Sequence, residues 1–234
     1  MRRTITGVSL IAAPLALAAA VALLPSLAGE WPDVLARLAA NETALLAGDL
    51  LVVVAIILLI PGMLGLLRII GRPMPRLAPT AVAMFLVGWL FVLGPVMLDR
   101  AQLQIARSGI PRDQAVALVE RLEADAGIGV IIGIFIIGHT LGAILLGIAV
   151  ARARFVPTWA AASIAIAAVL HPIARVGLGS KWLDVFAFSL LALGLAVTGF
   201  RVLRMSDEEW EPSLDARKRR APGARRAVAA SEAA

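Results

Sequence analysis

The 234-residue chain contains no cysteine, so a disulfide, a thiolate nucleophile and a thiolate-held metal cluster are all closed to it. Charge is scarce as well. Only 16% of residues are Asp, Glu, Lys or Arg, well under the quarter or so typical of soluble domains, while 60% are hydrophobic. No phosphate-binding glycine loop, paired catalytic carboxylates, metal-ligand cluster or nucleophile elbow is present. No lysine falls within a long apolar run, which removes a retinal-type Schiff base, and two histidines with one distant aspartate make a poor zinc site. No cofactor and no metal are therefore expected, and enzymatic activity is not the leading expectation.

The apolar residues are gathered into six stretches of about twenty, each long enough as a helix to cross about 30 Å of hydrocarbon. The expected fold is all-α: a polytopic bundle of six transmembrane helices over residues 1–205, with spans near 6–24, 44–66, 79–98, 127–150, 157–177 and 183–203. A polar tail, 206–234, begins acidic at Asp207, Glu208, Glu209 and Glu211 and turns basic at Arg217 to Arg220, Arg225 and Arg226. It reads as a disordered cytoplasmic segment that anchors the topology or touches anionic lipid. The first span also has features of a signal peptide, with Arg2-Arg3 before it and Ser26-Leu27-Ala28 after it. Its apolar run is longer than the usual targeting segment, which favours a retained helix interrupted at Pro14.

The net charge of +6 and a pI near 11.3 are explained by position and do not call for nucleic acid. Arg2 and Arg3, then Arg68, Arg72 and Arg76, then Arg152 and Arg154, then the residues after the last span place fifteen of the 22 basic residues on one side. By the positive-inside rule that side is the cytoplasm, with both termini inside and an inner (plasma) membrane location. The outer connections are 25–43 and 99–126. Within the second, Pro111 opens a segment in which Ala115, Leu118, Val119 and Leu122 recur at helical spacing opposite Arg112, Glu120 and Glu123. An amphipathic outer-face helix is expected near 112–124, resting on the bilayer surface, with a lid over a pocket as the functional alternative. Asn41-Glu42-Thr43 fits the glycosylation acceptor pattern, a weak signal in three residues.

Polar residues inside apolar spans are costly and so are candidates for function. His139 with Thr140 lies mid-way along the fourth span. His171, ahead of Pro172, and Arg175 lie near the outer end of the fifth, Asp49 near the outer end of the second, and Asp184 at the start of the sixth. For His139 two roles stay open: a ring satisfied by one neighbouring carbonyl, or a group that handles a ligand or proton. Asp49, His171, Arg175 and Asp184 share an outer-leaflet depth, which fits either an Asp–Arg bridge stapling the last two spans or a solvated pocket. A bis-histidine haem would need equal depths, and at 1.5 Å per residue from the outer ends His139 is about 18 Å deep and His171 about 9 Å. In the fourth span the pairs Gly129/Gly133 and Gly138/Gly142 have the small-xxx-small spacing of helix packing, with the Ala-rich fifth span as the natural partner.

From Gly127 to Ala168, the motifs Gly138-His139, Leu141, Leu145-Leu146-Gly147, Arg152 or Arg154, Val156-Pro157 and Trp159 resemble an uncharacterised bacterial family of six-helix membrane proteins, domain of unknown function 4386. The resemblance implies a six-helix membrane fold and carries no established activity. The composite expectation is a membrane protein with an outward polar pocket, lined by Asp49, His139, His171, Arg175 and Asp184, that binds or passes a small solute. A non-catalytic structural or accessory subunit is the alternative, and a membrane-embedded enzyme comes third. An inverted-repeat transporter would need likeness between spans one to three and four to six, and none is visible beyond length.

Overall fold

The computed structural model describes residues 2–211. Ten α-helices and one π-helical turn are present among them, and no strand. The helices are α1 (Arg3–Leu23), α2 (Trp31–Ala40), α3 (Glu42–Ile70), α4 (Leu77–Phe91), α5 (Leu93–Arg107), α6 (Arg112–Glu123), α7 (Ala126–Arg152), α8 (Thr158–Pro172), α9 (Lys181–Leu203) and α10 (Asp207–Trp210), with the π turn at Ile173–Gly177. Six segments are long and apolar enough to cross a membrane: α1, α3, α4 with α5, α7, α8 with the π turn, and α9. The chain is thus a multi-pass membrane protein. Its lipid-facing surface is read directly on α3, where Leu46, Leu50, Val54, Ile57 and Leu64 are exposed at helical spacing.

The spanning helices pack as a closed ring in chain order, α1 to α3, α4, α7, α8 and α9, with α9 returning to α1. In hydrocarbon the drive for such packing is close van der Waals contact, which small residues permit. The closest backbone-to-backbone seam is α4 against α7. A Cβ on Gly88 would lie 2.2 Å from the backbone nitrogen of His139, and one on Gly142 would lie 2.3 Å from that of Phe85. Gly138 completes the seam, 2.8 Å from the Gly88 Cα by the same measure. The expected Ala-rich partner is present too, with Gly147 of α7 against Ala161 and Ala165 of α8. Gly129 and Gly133 do not share this role. No heavy atom lies within 4 Å of a Cβ built on either, because the first turns of α7 run beyond the helices that cover its middle.

The third span departs from the expected 79–98. Helix continues to Arg107, so Asp99 and Arg100 stand on a helix and not in a loop. The break at Val92 has a local cause: Pro95 has no N–H for the Phe91 carbonyl and its ring crowds that carbonyl. The 25–43 connection likewise contains α2, which begins with Pro32 in its first turn. The amphipathic helix is found as α6, and part of its apolar face meets protein while Leu118 stays exposed. Ala115 and Val119 are buried with Val34 and Leu38 of α2 and Leu103 of α5 in a small core of their own at this end of the ring. Gln102 of α5 reinforces it by donating from Nε2 to Glu123 Oε1 at 2.9 Å.

At the opposite end, residues 206–211 are ordered where the acidic composition predicts disorder. Ser206 and Glu209 form a reciprocal capping box for α10. Arg68 lies 5.5 Å over the Trp210 ring and reaches Glu211 at 3.0 Å, while Arg3 pairs with Asp207 at 3.2 Å. The basic stretch from Arg217 to Arg226 lies outside the described residues.

The seam makes a direct prediction. Gly88→Val and Gly142→Val force backbone apart from backbone, and each should destabilise the detergent-solubilised protein by about 1–3 kcal/mol or more, read as a lower melting temperature. Gly129→Ala should be neutral or slightly stabilising, since alanine is the better helix former by up to about 1 kcal/mol.

Candidate functional site

At the end of the ring that carries α2 and α6, the helices do not close completely. A cavity of about 110 Å³ is lined by Asp49 of α3, Asp99 of α5, His171 of α8, Arg175 of the π turn and Asp184 of α9. Its apolar wall comprises Trp89, Val92, Val96, Phe135 and Phe188, with Leu17 and Val21 of α1 and Leu24 just after it. A second cavity of about 70 Å³ shares Arg175 and Asp184 with it and is otherwise walled by Ser26, Leu27 and Ala28 of the α1–α2 connection and by Gly179, Ser180 and Lys181.

Local sequence places each polar group. Pro172 lacks the N–H that would bond the carbonyl one turn back, and the chain continues as a π turn, a wider coil frequent at functional sites. That turn carries Arg175 into the cavity lining. Ser180 caps α9 by accepting from the Leu183 N–H, which sets Asp184 near the positive end of the helix dipole. Asp184 is buried, and its Oδ1 accepts from His171 Nδ1–H at 2.5 Å. Asp49, also buried, pairs through Oδ2 with Arg100 Nε at 2.6 Å. Arg100 is one quarter exposed, so this pair stands at the rim of the buried region.

The expected Asp–Arg staple between the last two spans is therefore replaced by two other pairs, His171–Asp184 and Asp49–Arg100. Arg175 forms no hydrogen bond or ion pair among the described residues, and neither does Asp99. Several buried polar atoms also lack hydrogen-bond partners, notably Trp89 Nε1, Asp49 Oδ1 and Arg100 Nη2. Such groups are costly in an apolar interior unless a ligand or water meets them.

Beneath the cavity lies an aromatic layer. His139 stacks on Phe135 with centroids 4.6 Å apart and touches Trp89 at 5.7 Å and His171 at 5.1 Å, while Phe188 closes on His171 at 4.9 Å. Only about 10 Å³ of space remains among these rings. The unequal histidine depths are thus corrected: the two rings are in contact. Counting from helix ends assumed a common starting level, which the uncovered beginning of α7 removes. In this arrangement no macrocycle fits between the imidazoles.

His139 Nδ1–H donates to Phe135 O at 2.7 Å within its own helix, so no partner on another helix depends on it. Thr140 is half-buried, 3.4 Å from His139 Nε2, and lines none of these cavities. His139 belongs to the floor and not to the larger cavity, whereas the other four expected residues all line it. Asp99, Arg100 and Trp89 were missed. The spacing Val92, Val96, Asp99, Leu103 is a helical stripe that carried the signal past the assumed end of the span.

Chemically, the larger cavity offers carboxylates, a guanidinium and an imidazole but no hydroxyl, and no cluster of three or more metal-ligating side chains occurs among the described residues. No family model matches the chain, and no curated protein or solved structure matches it.

The Asp49–Arg100 pair predicts an asymmetry. Asp49→Leu and Arg100→Leu each strand a partner and should cost about 1–3 kcal/mol in thermal stability. The double variant should recover much of that loss, because an apolar pair replaces a desolvated ionic one. His139→Leu, which strands no interhelical partner, should stay within about 1 kcal/mol of the parent.

Proposed function

We propose that the protein binds, and in a moving cycle passes, a small polar solute through the cavity between α3, α5, α8 and α9. One observation carries the reading: three carboxylates, an arginine and a histidine from four separate spans converge on one cavity instead of turning individually to the rim. In hydrocarbon such groups are retained at a cost of several kcal/mol unless they serve a site or a pair. The basic residues supply the orientation, with both termini and the α10 end in the cytoplasm and the α2/α6 end outside, in the inner membrane of a bacterium. We further propose that the segment 127–168 relates the chain to the six-helix family of domain of unknown function 4386, which would share the fold and leaves the solute open.

A structural or accessory subunit is the competing role, and the existing pairs His171–Asp184 and Asp49–Arg100 favour it, since each already locks two helices. The unpaired Asp99, Arg175 and Trp89 N–H weigh the other way. Lipid at the ring surface and anionic headgroups at the basic tail are the expected surroundings in either case.

Because the chain has no native cysteine, single cysteines report without background. A cysteine at Gly71 should be protected from an impermeant reagent added outside intact cells, and one at Ser108 should react. Asp99→Cys should react with a small charged thiol reagent from outside, and a cysteine at Ala143, below the aromatic floor, should not. Labelling of Gly71→Cys from outside would reverse the topology, and an inert Asp99→Cys would leave the structural role as the better account.

A further inference from the structure

The larger cavity is lined by an acidic and a basic side chain that form no ion pair within the protein. Asp49 is taken by Arg100 and Asp184 by His171. Arg175 and Asp99 remain, on the π turn and on α5, both lining the same volume and forming no ion pair with each other.

A ligand with one charge can satisfy only one of these groups. An anion would meet Arg175 and leave Asp99 facing it; a cation would do the reverse; a neutral solute would answer neither. A molecule carrying both charges answers both. Its carboxylate takes the guanidinium fork in the bidentate geometry that arginine favours, and its ammonium donates to the Asp99 carboxylate. The Trp89 indole N–H, on a side chain only 2% exposed and without an acceptor, is a further donor at the same cavity.

Size limits the choice. At about 110 Å³ the cavity is smaller than the roughly 150 Å³ apolar cavity known to hold benzene, so a ligand of about six non-hydrogen atoms is the upper bound. Val92 and Val96 beside Trp89 leave an apolar wall suited to a methyl or methylene group and not to a third charge. We propose that the cavity binds a small amino-acid zwitterion, its carboxylate on Arg175 and its ammonium on Asp99. This rests on the reading of the cavity as a solute site and names the class of solute.

The test uses the full chain in lipid nanodiscs and isothermal titration near neutral pH with four probes: glycine, β-alanine, acetate and methylammonium. One of the two zwitterions should bind at least about tenfold more tightly than either single-charge probe. In Asp99→Asn the preference over acetate should vanish, and in Arg175→Gln the preference over methylammonium should vanish. Neither substitution breaks an existing pair, so folding should be retained; if a variant nonetheless fails to fold, the wild-type comparison decides alone. Acetate or methylammonium binding as tightly as the zwitterions would overturn this inference and leave the solute site standing, as would undiminished zwitterion binding in both variants. No binding of any of the four probes would overturn both.

Discussion

A charge placed among apolar helices has to be answered from within the protein, and the end of the ring near α2 and α6 is arranged around that constraint. Without water, the attraction between unlike charges is strong and the cost of leaving one alone is stronger. Asp49 and Asp184 each obtain a partner from a neighbouring span, Arg100 and His171, and these contacts set how α3 meets α5 and how α8 meets α9. The carboxylates thereby act first as joints of the ring. Whatever function the cavity has is built on charges that the pairing leaves over.

The pairing works only because the helices below it are held close. Gly88, Gly138 and Gly142 let α4 and α7 approach backbone to backbone, which brings Trp89, Phe135 and His139 into one layer. That layer meets His171 and Phe188 from α8 and α9 and forms the floor on which the polar cavity stands. Above it, Pro95 breaks the third span at Val92 and Pro172 starts the π turn, so both helices change course at the level where charge begins. The two unpaired groups, Asp99 and Arg175, lie just beyond these two breaks. Proline thus separates a rigid, glycine-packed middle from an end whose geometry can suit polar side chains.

Much of this was legible in the residues themselves. Apolar length located all six spans, because a helix in hydrocarbon must satisfy its own backbone and so has to be long and uninterrupted. Asp49, His171, Arg175 and Asp184 were legible as a group, since their positions near the same ends of three spans left them few places to go. What escaped was information that lives between helices. An Asp–Arg bridge between the last two spans is one of two readings the sequence allows for Asp184, whereas its partner in the structure is His171. Asp99 and Arg100 look like the end of a span because they are charged, although the stripe Val92, Val96, Asp99, Leu103 continues the helix past them. Gly129 and Gly133 have the spacing of a contact and no neighbour to contact, which no pattern within one helix can reveal.

The aromatic floor also separates the two halves of the proposed role. The space among His139, Trp89, His171 and Phe188 is about 10 Å³, on the order of one water, so the cavity above is closed toward the middle of the ring. A solute that only binds requires no change in this layer. Passage requires the layer to part, and the α4–α7 side of it is fixed by backbone contacts that allow no give. The movable side is the one formed by α8 and α9, where His171 sits immediately before Pro172 and the π turn. The same short segment carries His171 in the floor and Arg175 in the cavity lining, only four residues apart. A ligand that engages Arg175 therefore pulls on the stretch of chain that holds the floor shut, and this is the physical link through which occupation of the cavity and opening beneath it would be coupled.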